Sequence, residues 1–264
     1  MKNKLHIKQG GRPGKVFVVL MLVFMYLPIA VLVLYSFNST KTASWGGFTL
    51  DWYHQLFHNR ILGTSLVHSL TLMAWSCAGA AVMGTLGAVG MSVVNFKGKG
   101  LLEGAVALPI MIPEIILGMA YLVSFVFARI PFGMFAMVLA HITFCIPYVY
   151  INVSSRLAGM DKSIGEAALD LGASPMRMFF DITLPMIAPA VLSGMLIASA
   201  MSLDDVVISF FVTGPQSNTL PLQIYSMLKV GVTPEINALC TLMLAVLLMV
   251  VAVVLVARRR KKAH

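Results

Sequence analysis

Charge is what this chain has little of. Charged residues fill 11% of its 264 positions against 59% hydrophobic, and mean hydropathy is +0.89. A soluble domain of this size carries about 25% charge, so too few polar groups remain to cover a water-facing surface, and lipid must be the solvent for much of the chain. Acids are scarcer still, 10 against 19 basic residues, for a formal charge of +9. The excess does not indicate nucleic acid, which needs a solvated basic face with room for base-reading groups. Here the basic residues sit in short clusters between apolar runs. The three cysteines, Cys77, Cys145 and Cys240, lie far apart inside apolar runs. That is neither a disulfide framework nor a metal-ligand spacing, and they read as packing residues. The chain also lacks a Gly-rich phosphate loop with its Lys and Ser/Thr, and any nucleophile constellation. If ATP is used, another chain must hydrolyse it.

What is present is a set of long hydrophobic runs. A helix crosses the hydrocarbon core with about 20 apolar residues, and six runs reach that length, at about 16–35, 66–94, 101–127, 132–153, 184–212 and 236–257. The expected fold is therefore all-α and integral to the membrane, one domain over 1–264 with six transmembrane helices. The second run carries Gly79, Ala80, Gly84 and Ala88, small residues that let helix backbones approach closely. With the N-terminus inside, 15 basic residues fall in cytoplasmic segments: the first fifteen positions, Lys97 and Lys99, the 156–183 loop, and Arg258–Lys262. Only 4, Lys41, Arg60, Arg129 and Lys229, fall opposite. This positive-inside asymmetry puts both termini in the cytoplasm. The first run is long enough to span and no small-residue cleavage site follows, so it reads as an uncleaved helix. Outside, the 36–65 connection holds Trp45, Trp52, Tyr53 and Phe57 among polar residues, the pattern of an interfacial amphipathic segment. Thr213-Gly214-Pro215 and Pro221 mark turns after the fifth run.

The cytoplasmic loop at 156–183 is patterned. Ser163-Ile164-Gly165-Glu166 fits a capping box with serine at the N-cap, Gly172 suits a left-handed helix stop, and Ser174-Pro175 a restart. Two short helices are expected, offering an apolar face of Ile164, Ala168 and Leu171 to a partner protein. Glu166-Ala167-Ala168, then Gly172, then Ile182, Leu184 and Pro185 match EAA-x3-G-x9-I-x-L-P at every fixed position. The chain thus resembles ABC-importer permeases, whose EAA loop docks on an ATPase subunit and passes its closure to the membrane. Glu166 as a plain helix cap is compatible with that role.

Tyr35-Ser36-Phe37-Asn38, Gly47 to Tyr53, His141 to Cys145, Leu203 to Val207, and Phe211-Val212-Thr213-Gly214-Pro215 through Asn237 are similar to the spermidine/putrescine permeases, PotC-type subunit. Glu114 stands where that family suggests aspartate, keeping the charge on a longer arm. The resemblance implies a transport subunit and not an enzyme, with ATP and magnesium bound by the partner ATPase. It also implies a second permease, two ATPase subunits, a periplasmic polyamine-binding protein, and alternating access in a bacterial inner membrane.

Buried charge supports a cationic cargo independently. Glu114, Asp204 and Asp205 fall inside or near spans, where a carboxylate costs roughly 2.5–3.5 kcal/mol at bilayer centre. Pro109 and Pro113 break the helix beside Glu114. Consecutive helical residues point about 100° apart, so Asp204 and Asp205 cannot both face one lumen. Either one meets cargo while the other pairs, or both are held internally. Ser202 offers a hydroxyl nearby. Trp52 offers either a cation–π face to an ammonium or an interface anchor. His68 and His141 read as packing or helix contacts. An anion path would need lysine or arginine within the spans, and none is there. The same machine with a ferric iron cargo is the near alternative. An ion-driven carrier is the distant one, disfavoured by the absence of an internal repeat.

Overall fold

A computed structural model of the protein describes residues 12–42 and 44–262, without the side chains of 12, 13, 162, 166, 250, 251 and 253–262. Lys2, Lys4 and Lys8, part of the basic count above, lie outside the described residues. Among the described residues there is no β-strand, only an isolated antiparallel bridge between Asn38 and Phe48. The chain forms two compact units, Met1–Arg60 with Ser226–His264, and Ile61–Tyr225.

The first unit contains α1 (Arg12–Tyr35), α2 (Asp51–His58) and α12 (Pro234–Lys262). Every residue from Gly14 to Val31 is exposed. A helix that is apolar all round and uncovered is a lipid-facing helix. The 36–50 connection is ordered by one buried amide: Asn38 Nδ2 donates to the carbonyls of Ser44 at 2.9 Å and Thr42 at 3.3 Å, and Oδ1 accepts from Gly46 N at 2.8 Å. The expected amphipathic segment is α2, with Trp52 and Leu56 on its buried face.

The second unit contains α3 (Arg60–Val93, all but its first residue), α4 (Lys99–Met111), α5 (Glu114–Phe127), α6 (Met134–Ala158), α7 (Lys162–Asp170), α8 (Pro175–Met178), a π-helical turn (Phe179–Thr183), α9 (Leu184–Asp204) and α10 (Val207–Val212), followed by α11 (Leu220–Val230) at its edge. Within lipid the hydrophobic effect does not drive helix against helix, so close packing of small residues must. The small residues of α3 act this way. A methyl added at Gly84 would lie 2.9 Å from Val149 Cβ, and one at Gly79 2.6 Å from Ile142 Cδ1. From the other side, a methyl at Gly194 of α9 would lie 2.7 Å from Val149 Cα. The helix α6 is thus gripped between two glycines at one residue, Val149, which is fully buried.

Two expected spans take shape differently from a single straight helix, the first at the break that Pro109 and Pro113 imply. The run at 101–127 is not one helix: α4 and α5 meet at a bend of 106° across Ile112-Pro113, both extended. Pro113 disfavours helical backbone at Ile112 before it and has no N–H of its own to continue a helix. The run at 184–212 is displaced: the helix begins at Pro175, ends at Asp204, and resumes as α10 after Asp205 and Val206. Among the described residues, four helices are long and apolar enough to cross a membrane, five with the bent pair counted as one; in α12 the apolar helix so measured is the shorter Pro234–Met249. The connection after α10 is also more regular than its turn signals suggest, since α11 occupies much of it.

Candidate functional site

The three acids occupy different electrostatic positions. Glu114 is the first residue of α5, where the helix N-terminus carries partial positive charge, and it is exposed. Asp204 is the last residue of α9, at the negative end of its helix, and is also exposed. Among the described residues neither has an ion-pair partner. A carboxylate at a helix C-terminus is disfavoured by the dipole, so Asp204 is the acid with most to gain from an incoming cation.

Asp205 is different. Its side chain is 3% exposed, and its extended backbone forms the break between α9 and α10. One carboxylate oxygen accepts from Ile208 N at 3.0 Å and the other from Ser209 N at 2.8 Å, which satisfies N–H groups in the first turn of α10 from one residue before its N-cap position. Nε2 of His141, on α6 and fully buried, lies 3.3 Å from Oδ2 of Asp205 and 3.2 Å from Ser209 Oγ. Nδ1 of His141 lies 2.9 Å from Ser202 Oγ. Asp205, Ser202, Ser209 and His141 therefore form one closed polar cluster. Ser202, expected beside the lumen, is buried with its hydroxyl on His141. His141, expected as packing or a helix contact, is a helix contact and the hub of the cluster, joining α6 to α9, the break and α10. A histidine inside an apolar run, with an aspartate capping Ser209 four residues on, was the available signal.

In the first unit, Trp52 is buried and Nε1 donates to the Asn38 carbonyl at 2.8 Å. A cation already stands over its ring: Lys41 Nζ is 5.7 Å from the centroid. His68 is also partnered, its Nδ1 3.2 Å from the Asn218 carbonyl.

The 156–183 loop has the two helices expected, with differences of detail. Asp161, not Ser163, caps α7: its carboxylate accepts from Ser163 N at 3.0 Å, and that bond holds the Asp161 carboxyl below its usual range. Asp161 takes the cap because its oxygen reaches the second helical N–H, which moves the start two residues earlier than a Ser163 box. Gly172 at φ +82° closes the helix, with Gly172 N bonded to Leu169 O at 2.9 Å and Ala173 N to Ala168 O at 3.0 Å, a Schellman stop. Ser174 then caps α8, accepting from Arg177 N at 3.3 Å. Leu171 is 89% exposed but Ala168 only 7%, so Ala168 packs inward and the outward apolar face is Ile164 and Leu171. Ala167 is exposed, Ile182 and Leu184 half-buried and Pro185 exposed. Glu166 lies within α7, and its side chain is outside the described residues. Because Pro185 has no N–H to return to the Asp181 carbonyl, the helix widens into the π-turn before α9. An open apolar groove of about 780 Å³ runs between α3 (Leu86, Val89), the end of α6 and the turn after it (Leu157, Met160), α7 (Ile164) and the π-turn (Phe179).

Residues 80–262 match the family model described as binding-protein-dependent transport system inner membrane component. The spermidine/putrescine transport system permease protein PotC of Escherichia coli K12 is 43% identical over 224 residues, covering 84% of this chain and 85% of that relative. The putrescine transport system permease protein PotI of the same strain is 43% identical over 229 residues, covering 84% and 82%. PotC of Haemophilus influenzae is 42% identical over 84% of this chain and 87% of its own. In fold, the chain is similar to a bacterial ABC transporter involved in import of the acidic polysaccharide alginate, at TM-score 0.73, 14% identity and coverage of 91% and 93%. It is similar also to an amino acid ABC transporter, at TM-score 0.57, 18% identity and coverage of 80% and 100%. An all-α chain with apolar helices of spanning length, a capped helix pair between them, and this match over most of its length belongs to the binding-protein-dependent transport system inner membrane components, beside the permeases PotC and PotI.

Proposed function

We propose that this chain is a permease subunit of an ATP-driven importer of polyamines, spermidine or putrescine. The observation that carries the reading is the 43% identity to PotC and PotI over 84% of the chain. It is supported by two exposed carboxylates, Glu114 and Asp204, at helix breaks within apolar segments. In this reading the bent α4–α5 pair and α12 complete six spans, and both termini are cytoplasmic. The chain pairs with a second permease, two ATPase subunits that hold ATP and magnesium, and a periplasmic polyamine-binding protein.

The chemistry follows from charge alone. A polyamine crossing an apolar bundle needs counter-charges that are present but weak, since a tight site would hold the cargo. Glu114 and Asp204, exposed and without an ion-pair partner among the described residues, supply them. Asp205 and Ser202, committed to His141, shape the path without touching cargo, and Trp52 anchors the outer connection. Closure of the ATPases acts on α7 through Glu166, Ala167 and Leu171. The Gly172 stop and the π-turn carry the movement through Ile182, Leu184 and Pro185 into α9.

Uptake of labelled spermidine and putrescine in transport-deficient cells carrying the complete cognate system tests this. Wild type imports at least one of them. Asp204→Asn and Glu114→Gln each lower uptake at unchanged membrane abundance, and Glu166→Ala lowers uptake while weakening ATPase co-purification. No polyamine uptake by wild type sinks the cargo assignment, and uptake that persists without the ATPase sinks the coupling.

A further inference from the structure

We propose that His141 is a positioning residue for cargo recognition: through Asp205 and Ser202 it fixes the break between α9 and α10 that presents Asp204 to the polyamine. The inference rests on the polyamine-permease reading above.

The geometry is specific. Asp205 and Val206 interrupt the helix with no proline or glycine at the break. The chain leaves the helix here through Asp205 itself, whose carboxylate accepts from Ile208 N and Ser209 N and so caps the first turn of α10. What holds it is the cluster around His141, which touches all three parts of the interruption: Ser202 in the last turn of α9, Asp205 in the break, and Ser209 in α10. The imidazole is fully buried, and Phe144 from the same helix closes one side edge-on, with ring centroids 5.4 Å apart. The two nitrogens have separate tasks. Nε2 faces the carboxylate that caps α10, and Nδ1 faces the hydroxyl on α9. Since Asp205 donates nothing, Nε2 carries the proton between them, and Ser202 completes the ring's second bond. Asp204 is the next residue back from this anchored point and is free. Its direction is set by the residue that cannot move. If the clamp is released, the unpaired N–H groups of α10 favour rejoining the helix, which swings Asp204 by the turn that the break now absorbs.

Two polar substitutions separate the tasks. In His141→Gln the amide nitrogen takes the place of Nε2 and keeps the bond to Asp205. In His141→Asn it takes the place of Nδ1 and keeps only Ser202. Each is combined with Asp204→Asn and, as control, with Glu114→Gln, and apparent KM and maximal rate of polyamine uptake are measured in the complete system. The expected result is that His141→Asn raises KM with little change in maximal rate, and that His141→Gln restores most of it. Asp204→Asn is then expected to raise KM about tenfold in wild type, the scale of a direct pairwise coupling, but less than twofold on top of His141→Asn. Glu114→Gln should keep its full effect in both backgrounds.

If Asp204→Asn and Glu114→Gln add equally to His141→Asn, His141 acts only on stability and the proposal is overturned. It is overturned as well if His141→Gln and His141→Asn are indistinguishable. A readout without cargo separates this from the function above: Asp204→Cys is labelled with a membrane-impermeant maleimide, with and without His141→Asn, against the wild-type cysteines as blank. A several-fold change in labelling rate supports the clamp even where wild type imports no polyamine, and an unchanged rate refutes it.

Discussion

At the scale of single residues, two neighbouring aspartates stand in opposite environments. Asp205 accepts two backbone N–H bonds and faces an imidazole inside the protein, whereas Asp204 is exposed and unpaired. Removing the Asp205 carboxylate leaves two buried backbone N–H groups and an imidazole nitrogen without their acceptor, and each such unsatisfied group costs about 1–3 kcal/mol. An exposed substitution away from such features stays within about 0.5 kcal/mol. Asp205→Ala is therefore expected to lower the thermal midpoint of the detergent-purified protein sharply. Asp204→Ala should leave the midpoint nearly unchanged while reducing uptake. Equal midpoints for the two variants would mean that the Asp205 cluster contributes nothing to the fold. The sequence made the pair visible as two acids that cannot share one direction. It did not say which was which, because the deciding partner, His141, is more than sixty positions away and the choice depends on tertiary contact.

At the scale of elements, the grip on α6 gives the clearest test. Gly84 of α3 and Gly194 of α9 press on Val149 from opposite sides, at contacts where an added methyl meets backbone and Cβ atoms below 3 Å. Backbone cannot yield as a side-chain tip can, and overpacking of this kind costs about 1–3 kcal/mol. Gly84→Ala and Gly194→Ala should each lower the thermal midpoint, and Gly194→Ala more, since it meets Val149 Cα. Gly90→Ala, with nothing within 4 Å, is the control and should be neutral. Midpoints unchanged in all three variants would remove the packing argument for α6. The small-residue spacing of the second run had pointed to such a contact, and the Pro109/Pro113 pair to the break before Glu114. Both are legible because glycine and proline act locally. The Asp161 cap was read two positions late because Ser163 offers an equally good pattern, and only geometry shows whose oxygen reaches the helix. The break at Asp205 is harder to read: Val206, Val207 and Ile208 continue an apolar run, and the one local signal is Asp205 itself, a cap residue whose bonds to Ile208 N and Ser209 N only geometry shows.

At the scale of the whole molecule, the bent α4–α5 pair decides the sidedness of everything after it. The two arms, 13 and 14 residues long, are each about 20 Å at helical rise, and a bend of 106° leaves their far ends about 24 Å apart. That is close to the roughly 30 Å hydrocarbon core but short of it, so length does not separate a bent crossing from a re-entrant hairpin. Charge does. If the pair crosses, 15 basic residues are inside and 4 outside. If it returns to the side it left, α6 and the later spans invert. The 156–183 loop with Arg156, Lys162 and Arg177, and the tail Arg258–Lys262, then move outside, while Arg129 and Lys229 move in. The count becomes 9 inside and 10 outside, and the positive-inside rule has nothing left to act on. On the proposed coupling role, the inverted arrangement would also put the Glu166 loop beyond reach of the ATPase. Reporter fusions settle it with two positions. A phosphatase fused after Arg129 should be active and a fluorescent protein fused after His264 should be bright, the pattern of a crossing pair with a cytoplasmic C-terminus. An inactive phosphatase at Arg129 with a dark C-terminal fusion would make the pair re-entrant, and the coupling role of the 156–183 loop would fall with the topology that places it.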